Sequence, residues 1–251
     1  MGYDSGSMPE LRSESLWVVM PVFNEEASIE RVFAEWLPVL RGVSGRGAFE
    51  LRLLAINDGS RDSTLEKLRA IEQANPDVTV QDQANAGHGA ACVAGYRRAL
   101  ASGAAWVLQI DSDGQCDPRY FPAFWEAREG RPVIFGYRKR RDDGWSRWAI
   151  SRVVSLVTWL ASGTWVGDAN VPYRLMRSDA LDRALQAMPA DFHQANILLA
   201  LRLQRACRIA WIPIRFRARH GGTPSIRAVS FVRHGVRLYR QLLAERKRVA
   251  D

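Results

Sequence analysis

Along the first 130 residues, apolar runs alternate with amphipathic segments in one repeated order. The runs at 16–22, 51–56, 78–80 and 106–110 have the length and composition of strands that are buried on both faces. Each of the first three runs is followed by a polar turn and then by apolar residues at helical spacing. Because strands that alternate with helices form parallel sheets with right-handed crossovers, the pattern predicts one α/β domain with a doubly wound, mostly parallel sheet.

The second half of the chain continues with a mixture of strand and helix patterns. Strands are predicted at 133–136 and 209–214, and helices at 146–160, 178–187 and 191–205. A polar loop that leads into an apolar stretch separates the first two of these helices. The strand at 209–214 is followed by a basic, glycine-hinged loop that is suited to closing over phosphates, with Arg215, Arg217, Arg219, Gly221 and Gly222.

The two ends of the chain differ from the middle in composition. Residues 1–15 contain no apolar signal-peptide core, and we expect them to form a disordered leader. Residues 16–225 form the predicted domain, and 226–251 a basic amphipathic helix. That helix either packs on the domain or lies at an anionic membrane interface, and the sequence leaves both possibilities open.

Charge and cysteine content narrow the class of protein. The formal net charge of +8 divides into −7 for residues 1–130 and +15 for residues 131–251. The basic half suits nucleic acid, an anionic membrane surface or the phosphates of a substrate. Three cysteines without Cys-x-x-Cys spacing disfavour a disulfide framework or a zinc site, so we expect a reducing, cytoplasmic location.

Acidic and amide side chains follow the predicted strands of the first half. Asp111 and Asp113 end the fourth run and, on a continued strand, would point the same way. Ligands of open α/β sheets bind at the carboxyl ends of the strands. Two close carboxylates suit a hard cation such as Mg²⁺ or Mn²⁺, although they also commonly cap a turn. His88, between two glycines, is either a site residue or a turn residue.

The order of these motifs resembles that of family 2 glycosyltransferases of the GT-A fold. The likeness is strongest to dolichyl- or polyprenyl-phosphate mannosyl- and glucosyltransferases, and it extends from about Leu16 to Ile226. The combination is more specific than any single motif. The motifs that carry it are Pro21-Val22-Phe23-Asn24-Glu25, Asn57-Asp58-Gly59-Ser60-Arg61-Asp62, Asn85-x-Gly87, Asp111-Ser112-Asp113-x-Gln115, Asp168 with Arg174, and Arg219-x-x-Gly222.

The resemblance implies an inverting, metal-dependent transfer from a nucleotide-diphosphate sugar. It implies Mg²⁺ or Mn²⁺ as cofactor, and it assigns roles to particular residues. The residues it assigns to donor binding are Pro21, Phe23, Glu25, Asp58, Asp111, Arg138 and Arg219. Those it assigns to metal binding are Asp111, Asp113 and Gln115. Acceptor or phosphate binding falls to Arg152 and Arg219, and catalysis to Asp168, Asp113 and Arg174.

The acceptor half departs from the family pattern. The Asp-x-x-Ser-Gly-Phe-Arg segment keeps its ends, Asp168 and Arg174, but loses Ser-Gly, and Pro224-Ser225 stands where Ser-Lys is common. The expected acceptor is a polyprenyl phosphate, reached peripherally at the inner face of the membrane. A phosphate acceptor needs no general base, whereas a sugar hydroxyl would need one, with Asp168 as the candidate.

Other functions remain open from the sequence. Within the same chemistry, the acceptor is alternatively a glycan or glycolipid hydroxyl of a cell-surface polysaccharide. A sugar nucleotidyltransferase is disfavoured because its Gly-rich basic loop is replaced by Asn24-Glu25-Glu26. We do not expect nucleic acid as a partner, since an acidic strand-end cluster lies beside the basic half. A non-catalytic sugar-nucleotide sensor, the oligomeric state and the donor sugar are not decided by the sequence.

Overall fold

One sheet organises the computed structural model, which describes residues 14–47, 49–141, 156, 158–186, 188, 194–219 and 238–243. Its seven strands are β1 (Ser15–Val22), β2 (Glu50–Asp58), β3 (Val78–Gln83), β4 (Trp106–Gln109), β5 (Val133–Arg141), β6 (Arg174–Arg177) and β7 (Ile209–Phe216). The helices are α1 (Ile29–Ser44), α2 (Thr64–Ala74), α3 (His88–Ala101), α4 (Phe121–Glu126), α5 (Ser178–Gln186) and α6 (Ala195–Ala206), with a 3₁₀ turn at Pro118–Tyr120. Residues 158–162 and 238–243 are also helical.

The strand order is β3-β2-β1-β4-β6-β5-β7. Strands β1 to β4 are mutually parallel, and β5 pairs in parallel with β7. β6 runs antiparallel between β4 and β5, which makes the sheet mostly parallel as predicted. The carboxyl ends of the six parallel strands therefore share one edge with the first residue of β6, Arg174.

Most predicted elements are present, with differences at their ends and in the second half. β1 begins at Ser15, one residue before the predicted strand, and β4 ends at Gln109. β6 and α4 were not predicted; the sequence of β6 was assigned to the stretch after a polar loop. Most of the predicted helix 146–160 lies outside the described residues. The described residues 158–162, at its carboxyl end, are helical.

The carboxyl-terminal segment is described over only one and a half turns. In residues 238–243, Leu238 and Leu242 are buried in the core cluster, whereas Tyr239 is largely exposed. This part of the predicted amphipathic helix therefore packs on the domain. Nothing in the described chain has both the length and the apolar character of a membrane-crossing helix.

The close approach of α3 to the sheet depends on Gly95. A β-carbon at this position would lie 2.3 Å from Cγ1 of Val19 in β1. We expect Gly95→Ala to lower the free energy of unfolding by about 1–3 kcal/mol, because the packed core must shift to admit the methyl group. Chemical denaturation would measure the change.

Gly42 offers a matched control for this substitution. It also lies in a helix, but a β-carbon there would meet nothing within 4 Å. Gly42→Ala should raise the free energy of unfolding by roughly 0.5–1 kcal/mol through helix propensity. Equal stabilities of the Gly95→Ala variant and the unsubstituted protein would contradict the close approach of α3 and β1.

Candidate functional site

The turn after β4 carries two of the acidic residues. Pairing with β1 ends at Gln109, so Asp111 and Asp113 lie in a turn and not on a continued strand, which corrects the alternation expected from the sequence. The turn closes through Gly114, whose φ is +77°, and through a hydrogen bond of 3.0 Å from the Gln115 amide to Asp113 Oδ1. Both carboxylates are nevertheless held at the carboxyl edge of the sheet.

A cluster of negative charge forms where this turn meets the end of β1. The carboxyl groups of Glu25 and Asp113 are buried, and burial raises the pKa of each. The charge of Asp111 adds to the rise in both pKa values. We call Glu25, Asp111 and Asp113 the acidic cluster. Because burial and like charges both disfavour its ionised carboxylates, a nearby cation stabilises them.

A cation for the acidic cluster comes from the other end of the chain. Residues 217–219, here called the strap, follow β7 and cross the turn after β4. Arg219 places Nε 3.1 Å from Asp113 Oδ2 and Nη2 3.4 Å from Glu25 Oε1. Its guanidinium lowers the pKa values of both carboxyl groups and so partly offsets their burial.

The strap is anchored by Arg217 and Gln115. The amide of Arg217 donates to the carbonyl oxygen of Gln115 at 3.1 Å, and Gln115 Nε2 donates to the carbonyl oxygen of Arg217 at 3.1 Å. The Arg217 side chain reaches Glu35 and Asp117, at 2.6 Å each. Gln115, predicted as a metal ligand, thus uses its amide nitrogen to hold the strap in place.

The ends of β1 and β2 are fastened to each other by Asn24, which has a φ of +52°. Its Oδ1 accepts from the Arg61 amide at 2.8 Å, and its own amide donates to Ser60 Oγ at 3.0 Å. The turn leaves the Phe23 ring 41% exposed at the strand end, while Pro21 is buried inside β1. Of the two predicted donor-binding residues, Phe23 therefore offers a surface on which a base could stack.

Asp58 lies at the same edge, buried at the end of β2. Its carboxylate accepts from Gln83 Nε2 at 2.9 Å and from the amides of Ala86 and Gly87 at 2.9 and 2.8 Å. These bonds hold the turn between β3 and α3, in which Gly87 has a φ of +90°. Asp58 thus shapes this turn, and its contact with a nucleotide remains a prediction.

His88 begins α3 and lies beside the acidic cluster. Its Nε2 is 2.9 Å from Asp111 Oδ1, and half of the side chain is exposed. Nδ1 is 3.8 Å from the sulfur of the buried Cys92. The structure therefore places His88 at the site, where it orients one of the two predicted metal-binding carboxylates.

Asp168 and Arg138 form a buried ion pair at the start of the acceptor half. Arg138 donates from Nε to Asp168 Oδ2 at 2.6 Å and from Nη2 to Asp168 Oδ1. Both side chains are about nine-tenths buried, and the guanidinium lies over the Phe216 ring. Both carboxylate oxygens of Asp168 therefore already accept hydrogen bonds, in the two-bond geometry that is strongest for arginine.

Arg174, near the loop that carries Asp168, is completely buried. It donates to the carbonyl oxygens of Val171, Asn196 and Ala169 at 2.7, 2.9 and 2.8 Å. Burial lowers the pKa of its guanidinium, which also lies over the Phe135 ring. Arg174, predicted as catalytic, is placed to hold the loop that carries Asp168 and not to touch a substrate.

The acidic cluster supplies some, but not all, of the ligands that a divalent cation needs. Asp111 and Asp113 supply hard carboxylate oxygens from one turn, which suits Mg²⁺ or Mn²⁺. Within the described ranges, no group of three or more His, Cys, Asp or Glu side chains is arranged to hold a metal ion. A cation bound to these two carboxylates would therefore need further oxygen ligands, such as those of a diphosphate.

Sequence reasoning named most of these residues but not their partners. Arg217 was grouped with phosphate-binding arginines, although it holds the strap; nothing local in the sequence indicates this. The signal for His88 was present, since it opens a helix at a strand's carboxyl end. Arg152, predicted to bind the acceptor, lies outside the described residues.

Comparisons with known sequences show which family the chain resembles. The family model described as "Glycosyl transferase family 2" matches residues 17–185. The undecaprenyl-phosphate 4-deoxy-4-formamido-L-arabinose transferase of Pseudomonas paraeruginosa is 34% identical over 172 residues, which is 67% of this chain and 48% of that protein. The enzyme of the same name from Proteus mirabilis is 29% identical over 67% of this chain and 51% of its own length. The chain thus spans about half the length of these curated relatives.

Two solved structures illustrate the similarity of the fold. Glucosyl-3-phosphoglycerate synthase from Mycobacterium tuberculosis, in complex with Mn²⁺, UDP-glucose and phosphoglyceric acid, has a TM-score of 0.66 and 21% identity, covering 93% of this chain and 79% of its own. Staphylococcus aureus TarS (residues 1–349) has a TM-score of 0.54 and 16% identity over 80% of this chain and 59% of its own. These likenesses confirm the predicted GT-A type of α/β fold.

Proposed function

Because the chain belongs to glycosyltransferase family 2, we propose that it transfers a sugar from a nucleoside diphosphate donor to the phosphate group of a polyprenyl lipid. Relatives named for transfer to undecaprenyl phosphate support this class of acceptor. The reaction then takes place at a membrane surface, in line with the predicted peripheral location.

The donor belongs at the carboxyl edge of β1, β2 and β4. Phe23 offers an exposed ring for the base. Glu25 and Asp58 lie at the ends of β1 and β2, where they would face the base edge and the ribose; the carboxylate of Asp58 also accepts from the Ala86 and Gly87 amides. The diphosphate carries negative charge into the acidic cluster, so it needs a cation there as well as Arg219. The Mn²⁺ in the complex of glucosyl-3-phosphoglycerate synthase supports this assignment.

Asp111 and Asp113 would hold the divalent cation, Mg²⁺ or Mn²⁺. When bound, such an ion offsets the charge that develops on a leaving diphosphate. Arg219 would contribute to the same end from the strap, where it now contacts Glu25 and Asp113. Arg219 and a cation at Asp111 and Asp113 would thus both offset the negative charge of the leaving diphosphate.

The ion pair of Asp168 and Arg138 carries the assignment of the acceptor. A sugar hydroxyl must lose a proton as it attacks, and a base with both oxygens engaged by arginine is a poor proton acceptor. A lipid phosphate is ionised at neutral pH and needs only orientation and charge screening. The pair therefore favours a phosphate acceptor, with Asp168 as a positioning residue.

The transfer reaction requires no proton acceptor. An ionised oxygen of the lipid phosphate attacks the anomeric carbon on the face opposite the leaving group, which inverts the configuration there. The bond from the anomeric carbon to the diphosphate oxygen breaks, and the nucleoside diphosphate leaves with the electron pair. The products are a polyprenyl phosphate sugar and the nucleoside diphosphate.

A transfer assay tests the proposal directly. The purified protein is incubated with Mn²⁺, a panel of radiolabelled nucleotide sugars, and either undecaprenyl phosphate or an oligosaccharide that lacks phosphate. We expect a labelled lipid product only with the phosphate acceptor, and no product in EDTA. Transfer to the oligosaccharide alone would overturn the acceptor assignment, and absence of turnover with every pair would overturn the enzymatic one.

His88 provides a test of how the metal-binding carboxylates are held. Removing the group that orients a metal ligand typically costs about 10- to 100-fold in metal affinity or activity. We expect His88→Ala to weaken Mn²⁺ binding by this order, because Asp111 loses its partner at 2.9 Å. Titration of Mn²⁺ by calorimetry in the presence of a nucleoside diphosphate would measure it.

The conservative variant separates orientation from general damage. The amide nitrogen of His88→Gln can take the place of Nε2 and still donate to Asp111, so its Mn²⁺ affinity should lie within a few-fold of the unsubstituted protein. Equal losses in the alanine and glutamine variants would show that the contact with Asp111 is not what matters.

A further inference from the structure

The helix that precedes Asp168 exposes its large apolar side chains and buries its small ones. Leu156, Trp159 and Leu160 follow the helical spacing i, i+3, i+4, so they share one face, and each is between 45% and 55% exposed. The buried positions of this helix carry Thr158, Ala161 and Ser162. An ordinary surface helix has the reverse arrangement, with its large apolar side chains against the core. The exposed face is therefore suited to an apolar contact outside the domain.

Trp165 adds a fourth large apolar side chain after a tight turn, and it is 50% exposed. The turn has Gly163 at a φ of +72°, and the Gly163 amide donates to the carbonyl oxygen of Trp159 at 2.7 Å. Residues 156–167 contain no charged side chain. Single exposed apolar residues are common, but four within ten residues indicate a contact surface. We call these four residues the apolar patch: Leu156, Trp159, Leu160 and Trp165.

The apolar patch lies toward the end of the sheet that is opposite the predicted donor residues. Trp165 lines one opening together with Tyr137 of β5 and Trp211 of β7, the last two strands of the sheet. The strands β1 and β2, whose ends carry the predicted donor residues, lie toward the other end. A surface that contacts the apolar patch therefore leaves the donor end of the sheet open to solvent.

Arg205 brings a positive charge to the apolar patch. It is exposed, near the end of α6, and donates from Nε to Thr164 Oγ1 at 3.0 Å and from Nη2 to the carbonyl oxygen of Ser162 at 2.5 Å. Both acceptors are uncharged, so these bonds do not neutralise the guanidinium. Residues 202–219 carry six arginines and no Asp or Glu. Trp and Leu side chains flanked by arginines match an anionic membrane interface in both apolarity and charge.

We propose that the apolar patch, together with Arg205, docks on the surface of an anionic lipid bilayer. The apolar side chains enter the headgroup boundary, and Arg205 meets the lipid phosphates. The inference rests on the proposed function in placing the reaction at a membrane surface, but the contact is measurable without donor or acceptor. It assigns membrane binding to a different segment from the carboxyl-terminal helix, of which Leu238 and Leu242 are buried in the core.

Vesicle sedimentation tests this contact. The full chain is mixed with phosphatidylcholine vesicles, with or without phosphatidylglycerol, and without nucleotide sugar, lipid acceptor or metal. We expect binding to the vesicles that contain phosphatidylglycerol. Trp159→Gln with Leu160→Gln should lower the partition coefficient at least about tenfold, because burying one large apolar side chain contributes this much. Arg205→Gln should lower it about fivefold on the anionic vesicles, as expected for one basic residue near such a surface.

Tyr239 supplies the matched control. It is an aromatic side chain of similar exposure, 40%, but it lies on the carboxyl-terminal segment. Tyr239→Gln should leave vesicle binding unchanged. Loss of binding in Tyr239→Gln with none in the double variant would assign the contact to the carboxyl-terminal helix and overturn the proposal. Failure of the unsubstituted protein to bind anionic vesicles would overturn it as well.

Two further measurements distinguish other occupants of the apolar patch. If sedimentation velocity shows a dimer for the unsubstituted protein and a monomer for the double variant, a second copy of the chain covers the patch. If the double variant melts at a much lower temperature, the side chains pack on the chain itself, because substitutions at exposed positions change stability little. Either result would overturn the docking surface. Vesicle binding without sugar transfer to any acceptor would support the surface and reject the proposed function.

Discussion

Replacing Asp113 by asparagine is expected to abolish metal-dependent donor binding and to lower kcat/KM by about 10³-fold, as losses of charge stabilisation in active sites do. The change removes one of the two carboxylates on the turn after β4 and one ion-pair partner of Arg219. It keeps the size of the side chain and an oxygen that can accept from the Gln115 amide. Thermal shift with a nucleoside diphosphate, with and without Mn²⁺, measures the loss of binding.

The Asp113→Asn variant should remain folded. Burial and the charge of Asp111 raise the pKa of Asp113 in the folded protein. A group with a raised pKa contributes stability below its unfolded pKa and loses it as the pH rises through the folded value. Above its raised pKa the ionised carboxylate therefore opposes folding, so in that pH range the melting temperature of the variant should equal or exceed that of the unsubstituted protein.

The advantage in melting temperature should shrink as the pH falls through the raised pKa. Asp179, an exposed carboxylate at the start of α5, serves as the control for charge removal. Asp179→Asn should leave Mn²⁺-dependent donor binding unchanged. Undiminished donor affinity of the Asp113→Asn variant, or equal affinity in EDTA, would remove Asp113 from the metal site.

Separating Asp168 from Arg138 should cause the second large loss of activity. Loss of one partner of a buried ion pair costs about 3–5 kcal/mol of stability. Misplacement of a positioning group costs on the order of 10²-fold in rate. We therefore expect Asp168→Asn and Arg138→Lys each to lower kcat/KM for the lipid acceptor by at least this factor, with donor affinity retained. Lysine keeps the charge of Arg138 but cannot form the two parallel bonds.

The double variant distinguishes positioning from general-base catalysis. If the pair acts as one unit, Asp168→Asn with Arg138→Lys should cost no more than the larger single effect. If Asp168 were the base for a hydroxyl acceptor, its loss alone would cost about 10²- to 10⁴-fold, and the two effects would add. Circular dichroism at the assay temperature controls for unfolding, and additive losses would contradict a positioning role.

The first half of the fold follows closely from the sequence because each unit is local. β1, α1, β2 and α2 are apolar runs or helical stripes whose signals lie within about twenty residues. β6 was missed for the opposite reason. Its four residues begin with an arginine, and they become a strand only by pairing with β4 and β5, which are distant in sequence.

The types of residue in the candidate site could be predicted from the sequence, but the partners of those residues could not. The carboxylates at strand ends were found because the topology of parallel strands brings those ends together. The partner of Asp168 lies 30 residues away, and that of Glu25 is 194 residues away in the strap. No pattern within a short window of sequence reveals such pairings. Arg174 was therefore assigned to catalysis and Arg138 to donor binding, whereas the structure gives both arginines protein partners.

The strap also bears on how the protein responds to salt. Its side-chain attachments are ion pairs of partly exposed arginines, whereas the core and the Arg174 contacts are apolar or made to buried carbonyl oxygens. The Debye length is about 8 Å at physiological ionic strength and becomes shorter as salt is added, so salt weakens ion pairs of partly exposed charges more than contacts between apolar or uncharged groups. Rising salt concentration therefore weakens the contacts of the strap before it weakens those of the rest of the fold. Buffer composition thus sets how firmly Arg219 is held against the acidic cluster.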